Sequence, residues 1–352
     1  MTEITLKVAI LYQAQQPPPQ RGIVKPMKPG GYADSGADIA YTLQKTGVGL
    51  LTPSFRPNIE ADLDWVFPDT EEGIQQALAA GANCLWLNTV LYNGHPIERF
   101  PGVRVVGQLP AAVDRYDDKW YTNNLLREQG LPIPKAELIT YADFKKTTPS
   151  ISPPLVAKPI RGRGSEGVAL VATKEEYQAV VANLFAQDRF GTAVYLEEYL
   201  SGQEITITVM PSGNYVIDGL LQPKELPWCL PGVVRFNHQK GIAPYNGTVA
   251  VIHNSRVLTD EEEALLVIQK LYQQCQTAAA LVELKAPIRI DCRSNAAGKY
   301  YLFDLNMKPN MTGPSRLHRK DQDSLSALAA RKIGWNYGAL LTNMLRQSWV
   351  IR

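Results

Sequence analysis

Near the C-terminus the chain reads YYLFDLN over residues 300–306, and this short run narrows the choice of folds more than any other. Its aromatic and aliphatic residues are those of a strand. Asp304 and Asn306 stand two positions apart, so alternation puts both side chains on one face. Just upstream, APIRIDCR (286–293) reads as a second strand, with Arg289 and Asp291 sharing one face, and the turn SNAAGK (294–299) is short enough to make the pair a hairpin. If the two faces coincide, three oxygen ligands (Asp291, Asp304, Asn306) converge beside an arginine. Two acids and an amide on apolar strands are costly to bury without a cation. Hard oxygens completed by phosphates and water suit Mg²⁺. A buried ion pair between Arg289 and one acid is the plainer alternative.

The rest of the chain supplies an α/β and α+β frame. Its 352 residues exceed one ordinary core and predict two or three domains. A net charge of +2 gives no reason to expect nucleic acid or a membrane surface as partner. The four cysteines (84, 229, 275 and 292) are scattered, as reduced thiols are. The start MTEITLKVAILY is a strand pattern rather than a signal peptide, and no apolar run reaches membrane-spanning length, so a soluble, cytoplasmic protein is expected. KVAILY (7–12) is a buried strand followed by a proline-rich loop. A helix is predicted over 35–47 with Ser35 as N-cap, then helix into strand over 71–90, then a strand at 103–107. That alternation predicts a parallel α/β layer over about the first 115 residues. Beyond it come a helix within 117–134, a hairpin over 153–171, a helix over 173–187 and two strands around a Ser-Gly turn in 193–210. An irregular Pro/Gly-rich stretch (222–248), a long helix capped by Thr259 and a closing helix over about 323–346 complete the chain.

Two further stretches carry chemistry. In AKPIRGRGSEGV (157–168), Lys158 ends a strand, and Gly162, Gly164 and Gly167 flank Arg163 and Ser165. Glycines admit backbone N–H groups to a polyphosphate and a lysine neutralises it. The pattern is neither a P-loop nor a dinucleotide fingerprint, since no helix opens after the glycines. A hairpin tip needing positive φ is the alternative. In YLEEYLSGQE (195–204), Glu197 and Glu198 end a strand and Glu204 begins the next. Alone they read as solvated acids; about thirty residues after a phosphate-type loop they could accept from an adenine amino group and ribose hydroxyls.

Taken together, KPIRGRGSEGV, EEYLSGQE and RIDCR…GKYYLFDLNMKPNMT resemble the ATP-grasp superfamily, in its D-alanine–D-alanine ligase-like branch, over about residues 100–346. The resemblance implies a three-domain ATP-grasp architecture: an N-terminal α/β substrate domain (1–116), a central domain (117–208) and a C-terminal domain (209–352), with ATP between the last two. It implies an ATP-dependent carbon–nitrogen ligase in which ATP phosphorylates a small-molecule acceptor and the amine of an amino acid displaces phosphate, leaving ADP. Carried over by position, Lys158 meets the α/β phosphates and the loop 162–167 covers the γ-phosphate. Glu197, beside Glu198, accepts from the adenine amino group, the Leu200 backbone meets the ring and Glu204 the ribose. Asp291, Asp304 and Asn306 hold two Mg²⁺ ions, Arg289 and the Asn310 N–H stabilise the oxyanion, and Ser315 meets the amino-acid carboxylate. Lys240 or His238 is the candidate lid residue. Relatives are commonly dimers, so a homodimer is an open expectation.

Departures mark a divergent member. DKWYTN puts Asn123 where a second ATP lysine is expected, which turns attention to Lys119, Arg161 or Arg163. Asp304 replaces a usual Glu, and Asn310 a usual Gly. The N-terminal region lacks the Gly-rich loop with a glutamate that the ligases use for their first substrate. The specific reading is therefore amino-acid addition to mycosporine-glycine. The alternatives are a D-alanine–D-alanine or other dipeptide ligase, a carboxylase-type enzyme and a non-catalytic ATP-binding regulator.

Overall fold

The computed structural model describes residues 6–20, 22–162, 165–239, 241–243 and 250–352. Among them are three larger sheets and one two-stranded ribbon. In the first sheet β1 (Lys7–Tyr12), β2 (Gly49–Leu50), β3 (Phe67–Pro68), β4 (Cys84–Asn88) and β5 (Arg104–Val106) run parallel, in the order β5-β4-β1-β2 with β3 also on β1. Val8–Leu11 and all of β4 are buried, the near-continuous apolar run that a strand covered on both faces requires. The final strand, Trp349–Val350, returns to pair antiparallel with β5, so the C-terminus closes the first sheet.

Helices α1 (Ala33–Lys45), α2 (Glu71–Ala79), α3 (Pro110–Tyr116) and α4 (Lys119–Glu128) belong to this half of the chain. The expected start of α1 at Ser35 is corrected to Ala33. Gly30, Gly31 and Tyr32 are all left-handed, with φ of 73°, 57° and 65°, and this turn, not a side-chain cap, sets the helix direction. Gly31 cannot be replaced, because a Cβ there would lie 1.7 Å from the Gln13 carbonyl oxygen. Ser35 instead sits in the first turn and donates to Tyr32 O at 3.1 Å. A left-handed tyrosine costs on the order of 1–3 kcal/mol, a strain typical of functional clefts.

The second sheet is antiparallel, in the order β6-β9-β7-β8: β6 (Ala136–Thr140), β7 (Leu155–Pro159), β8 (Ala169–Val171) and β9 (Ala193–Glu198), covered by α5 (Lys174–Phe185). The 153–171 hairpin is present as β7–β8. The strands around the Ser-Gly turn exist too, but they do not pair with each other. β10 (Glu204–Met210) leaves for the third sheet, because Gly202 is packed against Ser294, with N–H to Ser294 O at 2.8 Å and no room for a Cβ.

Past β10, strands occupy residues to which no element was assigned and the first part of the stretch 222–248 read as irregular. β11 (Gly213–Ile217) and β12 (Leu220–Lys224) form the ribbon, and β13 (Trp228–Cys229) and β14 (Val233–Arg235) pair with β10. α6 (Val251–Asn254), β15 (Ser255–Val257), α7 (Asp260–Glu263), α8 (Leu266–Leu281), β16 (Ile288–Ser294) and β17 (Tyr300–Asn306) follow, giving the sheet order β15-β14-β10-β16-β17. Thr259 caps as expected: its hydroxyl accepts from Glu262 N at 3.2 Å and Glu262 accepts from Thr259 N at 2.8 Å. The single helix expected after it breaks at Leu265, which is extended (ψ 132°). The closing helix is likewise two, α9 (Leu325–Lys332) and α10 (Tyr337–Arg346), divided by Gly334 at φ +78° and restarted by Asn336, which accepts from Ala339 N at 2.8 Å. Among the described residues no helix is long and apolar enough to cross a membrane.

Candidate active site

The second and third sheets, with α1 and the loop after β4, enclose a cavity of about 640 Å³. Its floor is the β16–β17 hairpin. Arg289 stands opposite Asn306 and Asp291 opposite Asp304, with a bulge between Asp291 and Cys292. On β16, Ile288, Ile290 and Cys292 go to the core while Arg289, Asp291 and Arg293 face the cavity. The two polar faces therefore coincide. Thr206 donates to Asp291 Oδ1 at 2.7 Å, and Arg289 Nε and Nη2 reach the two Asp291 oxygens at 3.3 and 3.4 Å. Asp304 is 3.4 Å from Lys119 Nζ. Burial pushes its carboxyl up, but Lys119, Lys158 and Arg289 outweigh burial and hold it below the usual carboxylate range. Asn306 Oδ1 accepts from Lys308 N at 3.0 Å, which fixes the amide at the strand end.

These donors fit Mg²⁺ as an ion shared with phosphate. The described residues hold no group of three or more His, Cys, Asp or Glu able to cage a metal alone. Two facing carboxylates, one held ionised, with an amide oxygen beside them, leave the remaining positions to phosphate and water.

Above the floor, Lys158 is buried between the rings of Tyr195 and Phe303, 5.2 and 5.5 Å from their centroids. Its Nζ donates to Glu197 Oε1 at 2.6 Å and to Phe303 O at 3.3 Å. Glu197 Oε2 is buried with no hydrogen-bond partner among the described residues, an acceptor matched to an amino-group donor. Burial pushes the Glu197 carboxyl up, with Lys158 opposing. Glu198 and buried Leu200 line the same wall, and Glu204 accepts from His238 Nε2 at 2.9 Å with Arg293 at 3.8 Å.

The glycine loop is only partly a cavity wall. Gly162 and Ser165 line it, Ser165 at φ 59°. Gly167 does not: a Cβ there would lie 2.8 Å from the Phe190 ring and from Pro159, so this glycine serves packing. Arg163, Gly164 and the lid candidate Lys240 lie outside the described residues. Arg161 is turned away, 2.9 Å from Asp114 and within 4.0 Å of Asp117 and Asp118, where the α3–α4 corner gathers three acids. Lys119 does line the cavity, one helical turn before Asn123 on the same face of α4. Asn123 is buried and donates to Tyr195 OH at 2.8 Å, so the asparagine supports the wall.

Asn310 lines the far end of the cavity, its Oδ1 accepting from Thr312 N at 3.2 Å. Ser315, expected there, is not on the wall: its hydroxyl donates to Asp38 Oδ1 at 2.6 Å. Asp38 and Arg316, both with 0% side-chain exposure, are the centre of a network missed in the sequence. Arg316 Nε and Nη2 reach Asp38 Oδ1 at 3.1 and 3.0 Å, and Nη1 reaches Asp62 at 2.7 Å. Asp38 also accepts from Thr312 and Arg319. Arg235 and Arg293, in strands of the third sheet, Tyr32 and Arg319 are among the cavity residues that were overlooked. The available signals were Gly30-Gly31 before Tyr32 and a lone acid, Asp38, on the apolar face of α1.

Comparison with known proteins gives the chain a family and a fold. A family model described as D-ala D-ala ligase C-terminus matches residues 125–346. A D-alanine–D-alanine ligase of Chromohalobacter salexigens is 25% identical over 236 residues, 65% of this chain and 64% of that one. The chain thus spans a little under two thirds of that relative. One of Polaromonas naphthalenivorans is 26% identical over 255 residues, 70% of each. A solved structure of D-alanine–D-alanine ligase from Bacillus anthracis complexed with ATP superposes over 97% of both chains with a TM-score of 0.62 at 16% identity, a likeness of fold.

Proposed function

Since the chain belongs to the family of the D-ala D-ala ligase C-terminus, an ATP-grasp fold, we propose that it is an ADP-forming carbon–nitrogen ligase that couples the amine of an amino acid to an ATP-activated acceptor. The observation that carries this reading is the register of β16 on β17, which puts Arg289, Asp291, Asp304 and Asn306 on one cavity face below Lys158 and Glu197. Mg²⁺ held by Asp291, Asp304 and Asn306 would neutralise phosphate charge. Lys119 and Lys158 bring two further positive charges to the phosphate end. Glu197 Oε2 accepts from the adenine amino group, the Leu200 backbone meets the ring and Glu204 takes the ribose. Arg289 and the Asn310 N–H are the donors for the oxyanion that forms as the amine adds. The division at 116 and 208 is proposed with it, the last strand excepted, which lies on the first sheet.

Of the specific acceptors, an amino acid, giving a dipeptide, is favoured over mycosporine-glycine, because the similar proteins are D-alanine–D-alanine ligases. A regulator without turnover is disfavoured by Lys119, which faces Asp304 where Asn123 left the lysine in question. Phosphate release with ATP, Mg²⁺ and D-alanine, against the same mixture with mycosporine-glycine plus an amino acid, tests the choice. Release only in the second mixture would reverse it.

A further inference from the structure

Any amino acid that enters as the amine keeps its own carboxylate through the reaction, whereas an acceptor's carboxyl is consumed near Arg289 and Asn310. A fixed cation away from the reacting centre is the group best suited to hold that carboxylate. Ser315 cannot fill this role alone, since its hydroxyl is committed to Asp38. Arg319 fits. It lines the cavity, and its Nε is clamped by both oxygens of buried Asp38 at 2.9 and 2.8 Å. Its Nη2 makes only long contacts, 3.4 Å to Asp34 and to Thr312. Its Nη1 has no hydrogen-bond partner among the described residues. A guanidinium held by Nε with its outer edge open offers the two-pronged geometry that suits a carboxylate.

The surrounding charges do not oppose such an occupant. Each acid at this end already has a basic partner: Asp34 has Lys28 at 3.0 Å, Asp38 has Arg316 and Arg319, Asp62 has Arg316, and Asp323 has Arg331. None of these four acids is therefore left unpaired to repel an incoming carboxylate.

We propose that Arg319 recognises the α-carboxylate of the incoming amino acid, with Asp38 aiming its guanidinium and Ser315 and Arg316 serving as struts for Asp38. This rests on the ligase reading above. With D-alanine as acceptor, the wild-type protein should prefer D-alanine to D-alaninamide as the amine by roughly 10- to 150-fold in kcat/KM, the worth of a charge-assisted hydrogen bond. Arg319→Met should bring that preference to within about threefold while the KM for ATP moves less than about twofold, and Arg319→Lys should restore part of it. A role confined to structure would lower both amines equally and leave the ratio alone. If the Met variant fails to fold, Arg319→Lys alone carries the test through its reduced ratio. A wild-type ratio kept in both variants, with Ser315→Ala abolishing it, would overturn the inference and return the role to Ser315. Absence of turnover in the wild type would instead remove the ligase reading on which it stands.

Discussion

Replacing Asp38 should do more damage than replacing Arg316, although the two are partners and both are inaccessible to solvent. Truncating one side of a buried ion pair costs about 3–5 kcal/mol, most of it from the charge left behind. In Arg316→Met the survivor is Asp38, which keeps Arg319 Nε at 2.8 and 2.9 Å, Thr312 at 2.7 Å and Ser315 at 2.6 Å. Its charge stays compensated, so the cost should lie near the lower end, about 3 kcal/mol. In Asp38→Ala two arginines lose their shared counter-ion. Arg316 is left with Asp62 at 2.7 Å, whose side chain is 36% exposed, and with the carbonyls of Ile59 and Asp34. That cost should approach the upper end, about 5 kcal/mol. Urea unfolding of both variants and of the double variant gives the comparison, with the double costing less than the sum by about 1–3 kcal/mol. Equal losses in the single variants, or a larger loss in Arg316→Met, would refute the claim that Asp38 is the hub.

Four other substitutions probe the site and its surroundings. Asp304→Asn should raise the Mg²⁺ concentration for half-maximal activity by at least about 10–100-fold, read by metal titration of phosphate release, because it removes one of two facing carboxylates. Lys119→Met should raise the KM for ATP roughly 10- to 150-fold, the worth of a hydrogen bond to a charged group, whereas Arg161→Met should lower the unfolding midpoint and move that KM less than about twofold. Glu262, gripped by Arg256 through two bonds of 2.7 Å, has its pKa lowered to about 2, chiefly by that arginine. An acid depressed in the folded state stabilises above its unfolded value of 4.5 and loses that contribution as pH falls from there toward about 2. Glu262→Gln keeps the capping pattern, so it should cost only about 0.5–1 kcal/mol at pH 7 after solvent screening, and the difference should vanish near pH 2.

The floor of the site was legible because it depends on local rules. A short turn fixes β16 on β17, and period-two alternation then decides which residues face the cavity. Lys158 and Glu197 were legible for a similar reason, each standing one residue before the end of its strand. What escaped depends on contacts distant in sequence. The Ser315 hydroxyl is taken by Asp38, 277 positions away, and nothing near Ser315 signals that. Arg161 turns to Asp114 because α3, unanticipated as a helix, brings that acid to the α4 corner. The ribbon β11–β12 and the strands β13 and β14 were hidden by Pro and Gly that stand at strand ends and turns or, as Pro223 does, within a strand of the two-stranded ribbon. The break between α9 and α10 did have a local signal, Gly334 followed by Asn336, a helix stop directly before a helix start.

The most direct test of the central claim is phosphate release by the wild-type protein with ATP and Mg²⁺, with and without D-alanine, together with identification of the product by mass. The expected result is release that depends on the amino acid, with a product containing a new amide bond, and loss of turnover in Arg289→Met with ATP binding largely intact. ATP binding without phosphate release across amino acids and candidate acceptors would contradict it and make the protein a nucleotide-binding regulator.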